Sequence, residues 1–226
     1  MNEPLYDNIL EFQIYGESAL FSNPLTMTSE EQTSYLVPTY SALQGISEGI
    51  YWKPTIEWAP LEVRIMNRIR LEPRSKKLPK YFRDESDLAY HSYLRDVCYQ
   101  VKVAMQWSKN DNFIKDHNPC KHMESARRWL KRGGKLPIFL GKSECVAYVE
   151  PCTFGEGKGY YDGIDLSFGL MLHGQTYPNQ GKTGELVTRL FNCEMQDGVI
   201  HFPKPEECPI QRLVRKEKPV WNVAKY

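Results

Sequence analysis

The chain has 226 residues, 41% of them hydrophobic and 25% charged, with a formal net charge of +1 at pH 7. That length is enough for one large domain or two small ones with a core that needs no disulfide staples, so a globular protein is expected. The apolar runs fall far short of the roughly 20 residues a membrane-spanning helix requires, and the opening MNEPLYDNILEF has no basic start followed by an apolar stretch. A cytoplasmic protein with no membrane partner is the expectation.

The near-neutral total conceals an asymmetry. Residues 1–52 carry seven acidic side chains and no Lys or Arg, leaving +8 on the remainder. Within that acidic part, NILEFQIYG (Asn8 to Gly16) alternates apolar and polar residues and predicts a first strand. Pro38 and Thr39 then open a helical pattern with Tyr40, Leu43, Ile46 and Ile50 near one face. Gly45 and Gly49 leave a smooth strip for close packing. Pro54 forbids continuation, which puts Tyr51 at or just beyond the last turn.

TIEWAPLEVRIMNRIRLE reads as extended structure and DVCYQVKVAMQW (Asp96 to Trp107) as a strand. Overlapping the first and preceding the second is RIMNRIRLEPRSKKLPKYFR (Arg64 to Arg83), eight cations against the single Glu72. An exposed hairpin or loop is expected there. Such a stripe attracts phosphates, although a solvated loop would have the same composition.

HNPCKHMESARRWLKRGG supplies the punctuation of a second helix. Asn118 suits the N-cap, Pro119 the first helical position and Gly133 the left-handed residue after the end. Cys120, Met123, Ala126 and Leu130 are expected to face the core, with Lys121 and His122 off that stripe in the first turn. ECVAYVEPC is a further strand. The glycine-rich GEGKGYYDG (Gly155 to Gly163) reads as a hairpin turn. IDLSFGLMLHG, LVTRLFNCEM and VIHF read as antiparallel strands, the last two joined across Gln196, Asp197 and Gly198. The expected class is α+β: a ferredoxin-like (RNA-recognition-motif-like) β-α-β-β-α-β domain over 1–150, then an antiparallel β-sheet extension and basic tail over 151–226, the tail from Gln211 to Tyr226 loosely ordered.

Motifs for metal or serine chemistry do not occur. There is no H-E-x-x-H, no G-x-S-x-G and no P-loop, and the six cysteines are scattered without a C-x-x-C pair, so no metal and no cofactor are expected. The adjacent Lys121 and His122 fit phosphodiester chemistry without a metal. A histidine, with an unperturbed pKa of about 6.5, can take or give a proton near neutrality, while a lysine at about 10.4 stays cationic. A helix start adds free N–H groups and a positive dipole end. The plain alternative is a hydrated surface pair, with Arg127, Arg128, Lys131 and Arg132 offsetting the dipole at the helix end and Tyr51 an apolar anchor. The residues by themselves stop at a weak phosphate-binding reading.

Ordered blocks carry the reading further. YLVPTYSALQGISEGIYWKPTIEW, YQVKVAMQW, CKHMESARRWLKRGG, IFLGKSECVAYVEPC, YYDGIDLSFGLMLHGQTYP and HFPKPEEC, from about Glu11 to Cys208, resemble the type I-C CRISPR-associated RAMP endoribonuclease, the d subtype of the Cas five family. The resemblance implies metal-independent cleavage of precursor CRISPR RNA within each repeat, 3′ of the hairpin, leaving a 2′,3′-cyclic phosphate. It also implies a second task, holding the guide 5′ handle within the type I-C interference complex with its other subunits. The family's catalytic trio falls on Tyr51, Lys121 and His122, and its glycine-rich loop on Gly133, Gly134 and Gly141. Under that resemblance Arg68, Arg70, Lys76 and Lys77 become candidate contacts to repeat-stem phosphates. Duplex DNA is a further candidate partner of the basic stripe, and a noncatalytic guide-capping subunit is the alternative function.

Overall fold

The computed structural model describes residues 8–24, 26, 31–79, 86–108, 111–176 and 185–216. They form an α+β fold in which a mostly antiparallel sheet carries two α-helices. In β1 (Ile9–Ala19), Leu10, Phe12 and Ile14 are buried and the residues between them are not, the period of two expected when one strand face meets a core. The short β2 (Glu31–Thr33) follows.

Helix α1 (Tyr40–Ile50) starts where Thr39 caps it, the hydroxyl accepting the Ala42 N–H at 3.2 Å. Its buried face is Tyr40, Leu43, Ile46 and Ile50, joined by Ser47, whose hydroxyl donates to the Leu43 carbonyl at 2.8 Å. Next come β3 (Ile56–Ile65), β4 (Leu71–Pro79), β5 (Ser86–Trp107) and a 3-10 helix (Asp111–Asp116). Helix α2 (Pro119–Leu130) precedes β6 (Ile138–Phe139) and β7 (Val146–Pro151). The C-terminal part adds β8 (Leu166–Thr176), β9 (Glu185–Gln196), β10 (Val199–His201) and β11 (Ile210–Lys216).

The sheet runs β11-β9-β10-β3-β5-β1-β7-β6, with β2 and β4 attached to β5 and β8 attached to β9. Among these pairs only β2 with β5 is parallel. Helix α1 packs on β3 and β8, α2 on β1 and β7, and the helices touch each other, so they share one face of the sheet. Strand β10 joins the β3 edge with Ile200 opposite Val63, which makes the C-terminal strands a continuation of the same sheet.

Four expectations need correction. Strand β5 begins at Ser86 rather than near Asp96, and its first half pairs with β4, so the basic stripe does form the expected hairpin, with paired strands for arms. LEPRSKKLP has no alternating apolar face, and main-chain pairing leaves no trace in hydropathy. Lys80 and Arg83, and the side chain of Lys76, lie outside the described residues. GEGKGYYDG is no hairpin turn, for among the described residues β7 and β8 pair with other strands. Instead the loop is clamped by Arg64, whose guanidinium meets both Asp162 carboxylate oxygens at 2.8 and 2.9 Å and the Gly157 carbonyl at 3.0 Å. Residues 211–216, expected to be loose, pair with β9 in β11; 217–226 lie outside the described residues. Lastly, His122 is fully buried and Cys120 exposed, the reverse of the expected facing. His122 stands four residues before Ala126 and so shares its face, whereas Cys120 sits in the first turn beyond the edge of the core.

Candidate active site

Tyr51 occupies the C-cap of α1, as its place before Pro54 required, with its N–H donating to the Ser47 carbonyl at 3.1 Å. The Trp58 indole donates to the Tyr51 carbonyl at 2.7 Å and fixes the chain where it leaves the helix. The ring turns inward and is 4% exposed. Burial raises the phenol pKa, and the Ser125 hydroxyl and the Lys121 ammonium partly offset the rise.

Helix α2 brings the second member. Asn118 caps it, the side-chain carbonyl accepting the Lys121 N–H at 3.1 Å, so His122 enters the first turn with its ring against α1. His122 Nδ1 lies 3.0 Å from the Tyr51 hydroxyl, across 71 residues of chain. Its Nε2 lies 3.0 Å from the backbone carbonyl of Asp116. A carbonyl can only accept, so Nε2 carries the hydrogen. In neutral His122 the other nitrogen is then a bare acceptor, and the Tyr51 hydroxyl donates to it.

Lys121 lies on the outer side of the same turn, with its side chain 54% exposed. Its ammonium pairs with Asp116 Oδ1, and that contact raises the lysine pKa. The other Asp116 oxygen, Oδ2, accepts the Thr55 hydroxyl at 3.0 Å. The Lys121 and Thr55 bonds together hold the Asp116 carboxyl below the usual carboxylate range. Trp107 closes the back of the site: its ring meets His122 edge-on at 5.9 Å and stacks on His117 at 4.4 Å.

The three residues expected to act together thus share one site. Thr55, Trp107, Asp116 and His117 complete it and escaped sequence reasoning. A carboxylate just upstream of the helix start was the one available signal, and it has no meaning until the chain folds back on it.

The glycine-rich loop lies beside this site. Gly133 and Gly134 adopt φ of 85° and 103°, a left-handed reversal at the end of α2. The reversal sends the N–H groups of Lys135 and Leu136 onto the Gly49 carbonyl at 3.1 and 3.0 Å, next to the turn that bears Tyr51. Gly141, at φ 91°, faces the Leu20 carbonyl so closely that a Cβ would sit 1.9 Å from that oxygen.

The stripe residues stand elsewhere, around β4 and the turn before it. Arg68 and Lys77 are exposed, Arg68 lying over the Tyr160 ring at 5.9 Å, and Arg70 reaches Asp96 at 3.6 Å. No group of three or more His, Cys, Asp or Glu suited to holding a metal ion occurs among the described residues.

Comparison with known proteins adds a family to this geometry. Residues 9–203 match the family described as CRISPR-associated protein (Cas_Cas5), in its Cas5d form. The chain belongs to that family. A Thermus thermophilus relative, the CRISPR pre-crRNA endoribonuclease Cas5d, is 28% identical over 90% of this chain and 95% of its own. Among solved structures, a functionally uncharacterized protein from Streptococcus mutans superimposes with a TM-score of 0.78 at 34% identity, covering 92% of this chain and all of that one. A CRISPR-associated protein superimposes with a TM-score of 0.76 at 30% identity, over 90% of this chain and 96% of the other. As a Cas5d-type RAMP protein, the chain shares its fold with these structures across nearly its whole length.

Proposed function

We propose that this Cas5d-type protein is an endoribonuclease that cuts precursor CRISPR RNA within each repeat, 3′ of the hairpin, without a metal ion. The single observation that supports the reading most is the meeting of Tyr51, Lys121 and His122 from two distant segments, with 3.0 Å between the phenol and the imidazole. The name of the Thermus relative agrees with it. The strands β3-β5-β1-β7 with the two helices serve, in this reading, as a ferredoxin-like RNA platform over 1–150, and 151–226 as its β extension.

Attack by a ribose 2′-oxygen on the adjacent phosphorus forms one P–O bond and breaks the bond to the 5′-oxygen, leaving a 2′,3′-cyclic phosphate and a 5′-hydroxyl. The 2′ proton must leave and the 5′-oxygen must gain one. Tyr51, at 4% exposure, is the less enclosed of the two residues, His122 having none, and in this reading the phenol oxygen takes the 2′ proton as its own passes to His122 Nδ1. Water supplies the proton to the leaving oxygen. The exposed ammonium of Lys121 stabilises the charge gathering on the phosphoryl oxygens. Gly133, Gly134 and Gly141 shape the loop on which RNA lies, and Arg68, Arg70, Lys76 and Lys77 bind stem phosphates. After the cut the protein retains the guide 5′ handle and joins the other subunits of a type I-C interference complex, where the basic strands also meet duplex DNA.

The experiment is cleavage of the CRISPR repeat RNA of the source genome in excess EDTA, with a matched RNA carrying a deoxynucleotide at the scissile position. The ribo substrate should be cut and the deoxy one should not; cutting of both overturns the 2′-hydroxyl mechanism. The full burial of His122 favours one second reading, a noncatalytic guide-capping subunit. Binding of the repeat RNA without any cut would establish that reading instead.

A further inference from the structure

Asp116 ends the 3-10 helix, lies in neither α-helix and belongs to none of the motifs that singled out the trio, yet it bonds to three side chains of the site. Each of its three oxygens accepts from a different side chain. Oδ1 takes the Lys121 ammonium, Oδ2 the Thr55 hydroxyl at 3.0 Å, and the main-chain oxygen the His122 Nε2–H at 3.0 Å. Oδ2 also lies 3.4 Å from His122 Nε2. Thr55 belongs to the segment that carries Tyr51 out of α1, while Lys121 and His122 belong to α2.

We propose that Asp116 is a positioning residue for the cleavage reaction, joining the Tyr51 segment to the Lys121–His122 turn and holding the lysine as an oriented ammonium. This deepens the ribonuclease reading and rests on it.

A proton relay from phenol to imidazole works only while Nδ1 is bare, and the bond from Nε2–H to the Asp116 carbonyl keeps the hydrogen on the far nitrogen. A long lysine side chain has many rotamers, and a carboxylate partner confines the ammonium before a phosphate arrives. The Thr55 bond spans the seam between the two segments, and its donor end is out of water because Thr55 is buried. A carboxyl held below its ordinary range stays ionised throughout the neutral pH range, which keeps this arrangement constant there.

The test uses single-turnover cleavage of the source repeat RNA between about pH 6 and 11, corrected for alkaline hydrolysis of the RNA without protein, with RNA binding and thermal melting measured alongside. Asp116→Asn keeps the shape and a Thr55 partner but loses the charge. Its rate should fall on the order of 10- to 100-fold with RNA affinity held within about threefold. Because Asp116 raises the Lys121 pKa, losing the charge should also shift the alkaline limb of the rate profile to lower pH. Thr55→Val should cost about three- to tenfold in rate and leave that limb in place.

An Asp116→Asn rate and profile matching wild type would overturn the assignment. So would a fall uniform across pH that tracks a lowered melting temperature, since that is what a merely structural residue would give. If Asp116→Asn does not fold, Thr55→Val decides alone: reduced rate at unchanged affinity supports the link, and an unchanged rate overturns it. Wild type failing to cut is a different result, and it would refute the ribonuclease reading rather than the role of Asp116.

Discussion

The two ends of β5 are built on opposite principles. At the C-terminal end, Trp107 backs a site in which Tyr51, Thr55, Asp116, Lys121 and His122 bond to one another. At the N-terminal end the strand pairs with β4, Lys77 opposite Leu88, and the described cations there stand in water or in half-exposed surface pairs such as Arg74 with Glu72 at 3.2 Å and Glu17 at 3.9 Å. From Leu88 to Trp107 there is roughly 60 Å of extended strand at about 3.3 Å per residue, an upper limit because Asp96, at φ 50°, bends the path. The contrast separates two kinds of work. Interlocked side chains fix atoms for chemistry, whereas solvated charges attract a polyanion and give way readily to salt.

The sharpest way to break the contrast is at His122. His122→Ala should lower cleavage by roughly a thousandfold, the scale of lost proton transfer, with repeat-RNA affinity nearly unchanged. A parallel loss of affinity would mean that the site end is a binding surface after all. Tyr51→Phe removes one oxygen and keeps the packing, so a loss on the order of a hundredfold is expected in the same single-turnover assay. An intact rate there would exclude the phenol from the relay.

At the opposite end the effects should be smaller and of another kind. Arg68→Ala or Lys77→Ala should weaken binding by a few-fold each and lower the slope of log affinity against log salt by about one, with the cleavage rate at saturating RNA unchanged. A changed saturated rate with an unchanged salt slope would erase the distinction between the two ends.

Acid should test the core beside the C-terminal strands, away from both ends. His173 is fully buried, stacked on Tyr40 at 3.9 Å, and donates Nε2–H to the Pro203 carbonyl at 2.9 Å. Burial lowers its pKa from 6.5 to about 4, with the nearby Arg189 charge adding to the fall. The neutral form is favoured in the folded state, so this contribution is whole above pH 6.5 and is lost as pH falls toward 4. The shift corresponds to on the order of 3 kcal/mol. Denaturant midpoints should therefore drop across that window in wild type and drop less in His173→Gln.

Much of this was legible before folding. Asn118, Pro119 and Gly133 mark the limits of α2, and the apolar period of α1 gives its buried face, because caps and amphipathic spacing act over a single turn. Strand β4 was not legible, since its residues have no face to bury and are ordered by main-chain bonds to β5. The facing of His122 was misread because a histidine in a first turn looks like a surface residue until something polar meets both of its nitrogens.

The amino-acid order by itself determined the helices, the candidate trio and the family likeness, since each is written in local spacing or in blocks of residues. Only the tertiary structure decided that Tyr51 stands in front of His122 and that Asp116 bonds to both neighbours of the seam. Those contacts join residues far apart in the chain, and hydrogen-bond partners at such separations are fixed by the sheet that brings α1 and α2 onto one face.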